Sequence, residues 1–346
     1  MKLIKNISPF VLAAVLMLSC KDSEKNISEE VFNNSNVYAL DKDWPKLPND
    51  FNLGTPVGLG LNSKGNIIVF HRSGRLWETN SISHLPVIEE TTISEIDSKT
   101  GEVLKSWGEN LFVMPHGLEV DNQDNIWVTD CGLHQVFKFD TNGNLLMTLG
   151  EARVPGNDTK HFNLPTDIAV TPDGAFYVSD GYGNSRVIKF SKDGEYIFEW
   201  GELGQEQGEF RIPHGIDLDK QGNVYVADRE NNRIQKFDSI GNFITLWQNR
   251  VTDQLYSVTI DNRNNHLFGI DYLIVDTNVV KGSDIFRFDL DANLQVQFGR
   301  SGHYEGTVTR YHDIQIDGES SIYVGDILGN RIQKFKLKTP YSNTNK

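Results

Sequence analysis

The stretch "PHGLEVDNQDNIWVTDCGLHQVFKFDTNGNLLMTLG" at residues 115–150 decides the fold, because its pattern returns twice further along the chain. Residues 165–201 read "PTDIAVTPDGAFYVSDGYGNSRVIKFSKDGEYIFEWG", and residues 213–248 read "PHGIDLDKQGNVYVADRENNRIQKFDSIGNFITLWQ". Each copy contains short alternating or β-branched runs separated by turns rich in Gly, Asn and Asp. This pattern is typical of four strands joined by hairpins. A repeat of this length predicts an assembly of small, similar sheets.

Three weaker copies bring the number of repeats to six. They lie at residues 56–77 continued at 93–108, at 255–271 continued at 284–299, and at 311–337. The sixth copy stops after three strands, and the chain before the first copy holds a spare strand, "NVYALD" at 36–41. We therefore predict an all-β, six-bladed β-propeller of NHL type over residues 36–340, closed by this N-terminal strand, since closure removes exposed sheet edges. The alternatives are an open array and a seven-bladed ring, and both the count and the complementary ends disfavour them.

The N-terminus has the pattern of a targeting segment. Lys2 and Lys5 precede the apolar run "FVLAAVLML", which is short for a membrane span, and "LMLSC" ends at Cys20. This resembles a bacterial lipobox. It predicts a lipoprotein signal peptide at 1–20, lipidation of Cys20, a flexible tether at 21–35 and a lipid-anchored location in the bacterial cell envelope. The membrane leaflet stays open, and an ordinary secretion signal is the alternative.

Composition limits the partners and the cross-links. The 346-residue chain carries a formal net charge of −14, which argues against binding nucleic acid. Cys131 is the one cysteine besides Cys20, so we expect no intramolecular disulfide in the mature chain. In the strand "IWVTDCG" we expect Cys131 to be a small buried hydrophobe. We expect the chain to be a monomer.

Histidines recur at equal spacing in the repeats. His116, His214 and His312 lie 98 residues apart, at the position where the other copies have Val57, Thr166 and Ser257. The first strand of each blade lines the central channel of a propeller, so histidines in blades two, four and six would face the axis about 120° apart. Inheritance of a useless residue by repetition does not predict this alternation. Three imidazoles with an open position predict a catalytic metal site, with zinc as first choice and iron, cobalt or copper as alternatives.

Other chemically capable side chains follow the second strands of blades one, three and four. They are Arg72, Tyr182 and Arg229. The second strand runs opposite to the first, so these loop residues should gather beside the metal. Two guanidinium groups there indicate an anionic, carboxylate-bearing substrate. The alternative is that the tyrosine is an exposed turn residue and the arginines are surface ion-pair partners.

Several motifs resemble one known family. They are "FHRSGRLW" (70–77), "NLFVMPHGLEVD" (110–121), "YVSDGYGNSRV" (177–187), "VADRENNRIQKF" (226–237) and "YHDIQI" (311–316). Together they look like the peptidyl-α-hydroxyglycine α-amidating lyase domain of peptidylglycine α-amidating enzymes. The resemblance runs in order from about residue 45 to 337 and is more specific than a generic NHL repeat.

The resemblance implies a reaction and roles for named residues. A lyase of this family breaks the N–C bond of a C-terminal α-hydroxyglycine and releases a peptide amide and glyoxylate. His116, His214 and His312 would bind zinc. Tyr182 would be the general base, with Arg72 near enough to lower its pKa and to contact substrate, and Arg229 would hold the substrate carboxylate.

The resemblance also implies a structural calcium ion in the channel. Its ligands would be Asp313 and the backbone carbonyls of Leu59 and Leu118, an oxygen-only set that suits calcium. The source of the hydroxylated glycine is expected on another chain, or the substrate is another hemiaminal, such as a ureidoglycolate-like compound.

The sequence departs from the family at three places. Two disulfides of the animal enzymes have lost both partners, Asn163 with Gly183 and Tyr225 with Lys236. A methionine near the metal in the family is Arg310 here.

Two other functions remain as alternatives. The first is a non-catalytic NHL-type propeller that binds peptide or glycan at the cell surface. The second is a metal-dependent lactonase or esterase, which the three-histidine ring disfavours, because such sites gather carboxylates and Asn around calcium.

Overall fold

The fold was analysed in a computed structural model that describes residues 37–77, 82–248, 254–276, 279–299 and 308–338. The predicted signal peptide at 1–20, the lipidation site Cys20 and the tether at 21–35 lie outside the described residues. In the described part of the chain, no helix has the length and apolar character needed to cross a membrane.

The described residues form 25 strands arranged as six small antiparallel sheets, which confirms the predicted six-bladed β-propeller. The first strand of the chain is β1 (Tyr38–Leu40). Blade one follows with β2 (Pro56–Leu61), β3 (Ile67–His71), β4 (Ile93–Ile96) and β5 (Val103–Trp107). Blade two contains β6 (Pro115–Val120), β7 (Ile126–Asp130), β8 (Gln135–Phe139) and β9 (Leu145–Leu149).

Blades three and four repeat the same order. Blade three contains β10 (Asp167–Val170), β11 (Phe176–Asp180), β12 (Arg186–Phe190) and β13 (Tyr196–Trp200). Blade four contains β14 (Pro213–Leu218), β15 (Val224–Asp228), β16 (Arg233–Phe237) and β17 (Phe243–Gln248). Two short 3-10 turns, Ile82–His84 and Arg229–Asn231, lie in loops.

Blade five departs from the four-strand pattern. It contains β18 (Gln254–Asp261), β19 (His266–Asp276), β20 (Val279–Gly282), β21 (Asp284–Asp289) and β22 (Leu294–Gly299). The strand β19 pairs with β21 over its first half and with β20 over its second half. The β-branched insertion "YLIVDTNVVKGS" thus extends the second strand into an extra hairpin, which the repeat pattern did not predict.

Blade six combines the two ends of the propeller. Its strands from the C-terminal end are β23 (Tyr311–Ile316), β24 (Ile322–Asp326) and β25 (Arg331–Leu337). Strand β1 pairs antiparallel with β25, with Ala39 opposite Lys336, and so provides the outer strand of this sheet. Tyr38 is buried and stacks on Phe298 of blade five at 5.2 Å between ring centroids.

The core lies between neighbouring blades. Buried aromatic and β-branched side chains of one sheet pack on the next, as in the cluster that joins Tyr177 and Val187 of blade three to Ile216 and Val226 of blade four. Outer strands keep apolar residues more exposed, such as Tyr196 at 38%. Burial is thus greatest in the inner and middle strands, which position the channel.

The seam of blade six should depend on Tyr38. We expect Tyr38→Ala to lower the free energy of unfolding by about 3 kcal/mol, because it removes a fully packed aromatic ring. The exposed outer-strand Tyr196→Ala is the matched control, and its loss should stay under about 1 kcal/mol. Urea unfolding of both variants measures the difference, and equal losses would contradict the assignment of β1 as a packed closing strand.

Candidate functional site

Three buried histidines converge in the channel. The ring centroids of His116 and His312 lie 4.6 Å apart, those of His116 and His214 4.7 Å, and those of His214 and His312 4.9 Å. Their potential ligand nitrogens all lie within 4.8 Å of one another. Within the described ranges, this is the group of His, Cys, Asp or Glu side chains close enough to share a metal ion. The structure therefore brings together the three histidines that the sequence singled out.

Each imidazole is oriented by a backbone carbonyl of the next blade. The acceptors, in the order His116, His214 and His312, are the oxygens of Thr166 at 2.6 Å, Tyr256 at 2.7 Å and Val57 at 2.8 Å. A carbonyl can only accept, so Nδ1 of each ring must carry the hydrogen. The hydrogen-free Nε2 atoms then face the channel as lone-pair donors, which is the tautomer that a metal-binding histidine needs.

The protonation state of the imidazoles also suits metal binding. Burial lowers the pKa of all three histidines well below the usual value, and the Arg72 guanidinium lowers those of His116 and His312 further. Neutral imidazoles are the form that binds a metal. The three residues thus fit a divalent metal that prefers nitrogen ligands, as the sequence predicted.

Glycine and a β-bulge set the distance between neighbouring inner strands. A Cβ at Gly117 would lie 2.6 Å from the Thr166 oxygen, and a Cβ at Gly215 would lie 2.6 Å from Cα of Ser257. These are the glycines of the two "PHG" motifs. The pairing of the inner strand with the second strand shifts at the same place in both blades. The bulge and the close approach together let each His reach the carbonyl of the next blade.

Tyr182 lies directly over two of the histidines. Its hydroxyl is 3.2 Å from Nε2 of His116 and 3.0 Å from Nε2 of His214. The buried carboxylate of Asp180 holds its loop, since Asp180 accepts from Asn184 Nδ2 at 2.6 Å and from Arg186 Nε at 3.1 Å. Tyr182 is therefore a fixed part of the site and not an exposed turn residue.

Two opposing effects act on the Tyr182 phenol. Burial raises its pKa to about 12, and the cations Arg229 and Arg72 act in the opposite direction. Arg229 has the larger lowering effect, and its guanidinium donates to the phenol oxygen at 3.1 Å. The sequence had assigned this electrostatic role to Arg72. With protein groups alone, burial outweighs both cations.

Arg72 lies near the tyrosine and contacts the Trp77 ring between them. Its Nε donates to the Pro115 carbonyl at 2.9 Å, and its guanidinium carbon lies 5.1 Å from the Trp77 ring. The Trp77 ring in turn lies 4.8 Å from that of Tyr182. The Nη2 atom of Arg72 is buried without a hydrogen-bond partner among the described residues. That free donor can reach toward a bound anion.

Arg229 is the first residue of a 3-10 turn, and the next residue, Glu230, orients its guanidinium. Glu230 accepts from Arg229 Nε at 3.0 Å and from Arg229 Nη2 at 2.9 Å. The guanidinium carbon also lies 5.1 Å from the ring centres of both Tyr182 and Tyr256. The remaining guanidinium nitrogen of Arg229, Nη1, donates to the phenol oxygen of Tyr182. The sequence prediction that Arg229 belongs to the site therefore agrees with its place in the fold.

A carboxylate layer lies next to the histidines along the channel. It consists of Glu119, Asp167, Asp217 and Asp313. Burial raises the pKa of each of them, and the neighbouring carboxylates add to the effect. The pKa of Asp217 rises to about 6 and that of Asp313 to about 7. A small cavity touches the three histidines and both Asp167 and Asp313.

The predicted calcium ligands occupy this layer. Asp313 Oδ2 accepts from the Leu59 amide at 2.7 Å, so these two residues of blades six and one are in contact. Leu118 is buried on the neighbouring inner strand β6. Repulsion among buried carboxylates is the condition that a bound cation relieves, and oxygen donors suit a hard cation.

Sequence reasoning missed four residues that complete the site. They are Trp77, Glu230, Gln254 and Tyr256. Tyr256 stands in blade five where "PHG" blades have proline, so a position-by-position alignment of the inner strands would have found it. Trp77 and Glu230 lie in loops after the second strands of blades one and four, and Gln254 is the first residue of β18; none of the three carried a signal. The acidic residues of the inner strands were visible as polar exceptions in apolar runs.

The positions of the lost disulfides are neighbours in space. Gly183 donates its amide to the Asn163 carbonyl at 2.9 Å, and Tyr225 pairs with Lys236 across β15 and β16 with the ammonium 5.0 Å from the ring. Cys131 is a free, buried thiol, as expected, and donates to the Pro165 carbonyl at 3.0 Å. Ordinary contacts replace both cross-links.

Comparison with known proteins agrees with the fold and the motifs. The NHL repeat family matches residues 112–139, 162–190 and 210–237. A solved structure described as a streptogramin B lyase shares the fold, with a TM-score of 0.59 and 14% identity over 88% of this chain and 99% of that chain. At that identity the likeness concerns the fold alone.

Two curated relatives share much more of the sequence. Peptidyl-glycine alpha-amidating monooxygenase B of Xenopus laevis is 37% identical over 90% of this chain, which spans only 37% of the length of that relative. A Caenorhabditis elegans protein named as a probable peptidyl-alpha-hydroxyglycine alpha-amidating lyase is 33% identical over 97% of this chain and 98% of its own length. The match to the second relative is essentially end to end, and the chain therefore belongs to the peptidyl-α-hydroxyglycine α-amidating lyase family.

Proposed function

We propose that this protein is a zinc-dependent lyase that cleaves the N–C bond of peptidyl-α-hydroxyglycine, or of a similar hemiaminal, to an amide and glyoxylate. One observation carries the proposal: three Nε2 lone pairs converge beneath the hydroxyl of Tyr182. Membership of the lyase family supports the substrate class. A module that only binds peptide or glycan would need neither the tautomers nor the buried phenol.

The protein residues can move the protons that this reaction requires. The substrate hydroxyl loses its proton to the Tyr182 oxygen in its phenolate form. The electron pair left on the substrate oxygen forms the new C=O bond, the C–N bond breaks, and the nitrogen leaves with that electron pair. The nitrogen then takes that proton back from the Tyr182 phenol, which regenerates the phenolate and balances the products as one amide and one glyoxylate.

Two arginines can bind the negative charges of the substrate carboxylate and the phenolate. Arg229, already oriented by Glu230, would hold the substrate carboxylate with a charge-assisted hydrogen bond. Arg72 has a buried donor without a partner among the described residues and would contact the same anion or the phenolate. Both cations oppose the effect of burial on the Tyr182 pKa.

The metal assignment rests on the ligands. His116, His214 and His312 would hold zinc, for which three imidazoles and an open position are a common catalytic arrangement. When bound there, zinc would act as a Lewis acid on the substrate hydroxyl and make its proton easier to remove. We further propose that Asp313, with the carbonyls of Leu59 and Leu118, holds a structural calcium ion.

We also propose that the protein is anchored to the bacterial cell envelope through a lipid on Cys20 and acts there as a monomer on a small-molecule or peptide substrate. The lipobox-like "LMLSC" supports the anchor. The net charge of −14 supports a partner other than nucleic acid.

Metal content should depend on the histidine triad. We expect His214→Asn to lose most of its zinc and to lower glyoxylate release from α-hydroxyhippurate at least about 100-fold, because the amide is a poor zinc ligand. His134→Asn is the matched control, since His134 is also buried but lies outside the triad. Elemental analysis and a glyoxylate assay measure both variants. Full zinc and full activity in His214→Asn would refute the metal site.

The Tyr182 hydroxyl should act on the chemical step. Tyr182→Phe should lower kcat by about 10²–10⁴ and leave zinc content and KM nearly unchanged, because only the proton acceptor is lost. Tyr177→Phe is the control: Tyr177 lies in the same blade as Tyr182, and its hydroxyl donates to the Ser239 carbonyl of blade four at 2.8 Å. Steady-state kinetics decide the question, and equal activity of both variants would exclude Tyr182 as the base.

The anchor can be tested by labelling with a fatty acid in a bacterial host. We expect the wild type and Cys131→Ser to take up label, and Cys20→Ser to take up none and to leave the membrane fraction. Labelled Cys20→Ser protein would contradict lipidation at this residue.

A further inference from the structure

Arg310 is a cation at the site with no partner of opposite charge among the described residues. Its guanidinium donates to the Tyr256 hydroxyl and lies 4.7 Å from the Tyr272 ring. Its Nε is buried without a hydrogen-bond partner in the described part of the chain. Leaving a buried donor unpaired is costly. None of the described residues meets this donor, so it is free to meet an anionic ligand.

Two hydrogen bonds hold the backbone of Arg310 in place. Its amide donates to Asp326 Oδ1 at 2.9 Å, and its carbonyl accepts from the Ile327 amide at 2.9 Å. Two residues later His312 begins the metal-facing part of the same strand. A guanidinium held in this way is preorganised for a ligand.

Arg229 and Arg310 are linked through one chain of contacts. Glu230 accepts from Arg229 and also from Gln254 Nε2 at 2.8 Å. Gln254 Oε1 accepts from the Tyr256 hydroxyl at 3.2 Å, and that hydroxyl accepts from Arg310. Both guanidinium carbons lie near the Tyr256 ring, that of Arg229 at 5.1 Å and that of Arg310 at 5.4 Å from its centre. Blades four, five and six thus present two spaced cations beside the triad.

Two of the three arginines around the triad form no ion pair with the described residues. Three arginines lie around the triad, and Glu230 is the one described carboxylate that forms an ion pair with any of them. A bound metal would add further positive charge. The glyoxylate end of the proposed substrate carries a single carboxylate, which Arg229 would take. Among the described residues, the Arg310 guanidinium on the blade-six side therefore stays without an anion.

We propose that Arg310 is a specificity-determining residue that binds a second anionic group, carried by the acyl part of the substrate next to the hemiaminal. This inference rests on the proposed lyase function and specifies its substrate class as acidic acyl-α-hydroxyglycines. Peptides that end in Asp or Glu before the hydroxyglycine have this chemistry. The side chain would reach across Tyr256 to the Arg310 guanidinium while the α-carboxylate binds Arg229.

Isosteric substrate pairs test the proposal by changing only the charge. The probes are N-acetyl-Glu-α-hydroxyglycine against its Gln analogue, and N-acetyl-Asp-α-hydroxyglycine against its Asn analogue. We expect the wild type to prefer the acidic member of at least one pair by about tenfold or more in kcat/KM, as one charge-assisted hydrogen bond would give. The preference should appear in KM and weaken with salt.

Variants separate recognition from a structural role. In Arg310→Met the acidic-to-neutral ratio should fall to near one through KM, and Arg310→Lys should keep part of the preference. Lys192→Met removes an exposed cation in the turn between β12 and β13 and should keep the wild-type ratio.

The contrary outcomes are distinct. A wild-type ratio near one in both pairs would overturn the inference and leave the lyase function intact. An Arg310→Met variant that lowers kcat equally on all four substrates and keeps the ratio would show that Arg310 acts through Tyr256 instead. No glyoxylate from any of the four substrates would refute the proposed function and this inference with it.

Discussion

The site depends on one repeated contact, the hydrogen bond from an imidazole Nδ1 of an even-numbered blade to a carbonyl of the next blade. This contact selects the tautomer, aims Nε2 into the channel and requires the close strand approach that Gly117 and Gly215 permit. The third such bond runs from His312 in blade six to Val57 in blade one. It therefore crosses the seam of the ring, and the integrity of the site and the closure of the propeller are coupled.

Most of the fold could be predicted from the sequence because the same pattern of strands and turns recurs in every repeat. The alternation of apolar residues and turns gave the strands, and six copies gave six blades. Blade five was the exception, since its β-branched insertion is compatible with either a loop or an extra hairpin. Local pattern cannot choose between these, because the choice depends on what covers the edge of that sheet.

The sequence predicted the part of the candidate site that is made of side chains. His116, His214, His312, Tyr182 and Arg229 all stand in recognisable repeat positions, and the structure gathers them. The acceptors of the imidazole hydrogens were invisible, because every residue type has a carbonyl. The pairing of Arg229 with the phenol oxygen also could not be predicted, since it depends on the 3-10 turn and on Glu230.

Because these acceptors are main-chain oxygens, the hydrogen bonds that orient the imidazoles do not depend on the side chains of the residues that supply them. Exchanging the side chain of Val57, Thr166 or Tyr256 leaves an oxygen in place for the imidazole. The walls of the pocket can thus drift in evolution, or be redesigned, on the odd-numbered blades without disturbing the ligands on the even-numbered ones. One scaffold can in this way keep its reactive centre constant and vary what it accepts.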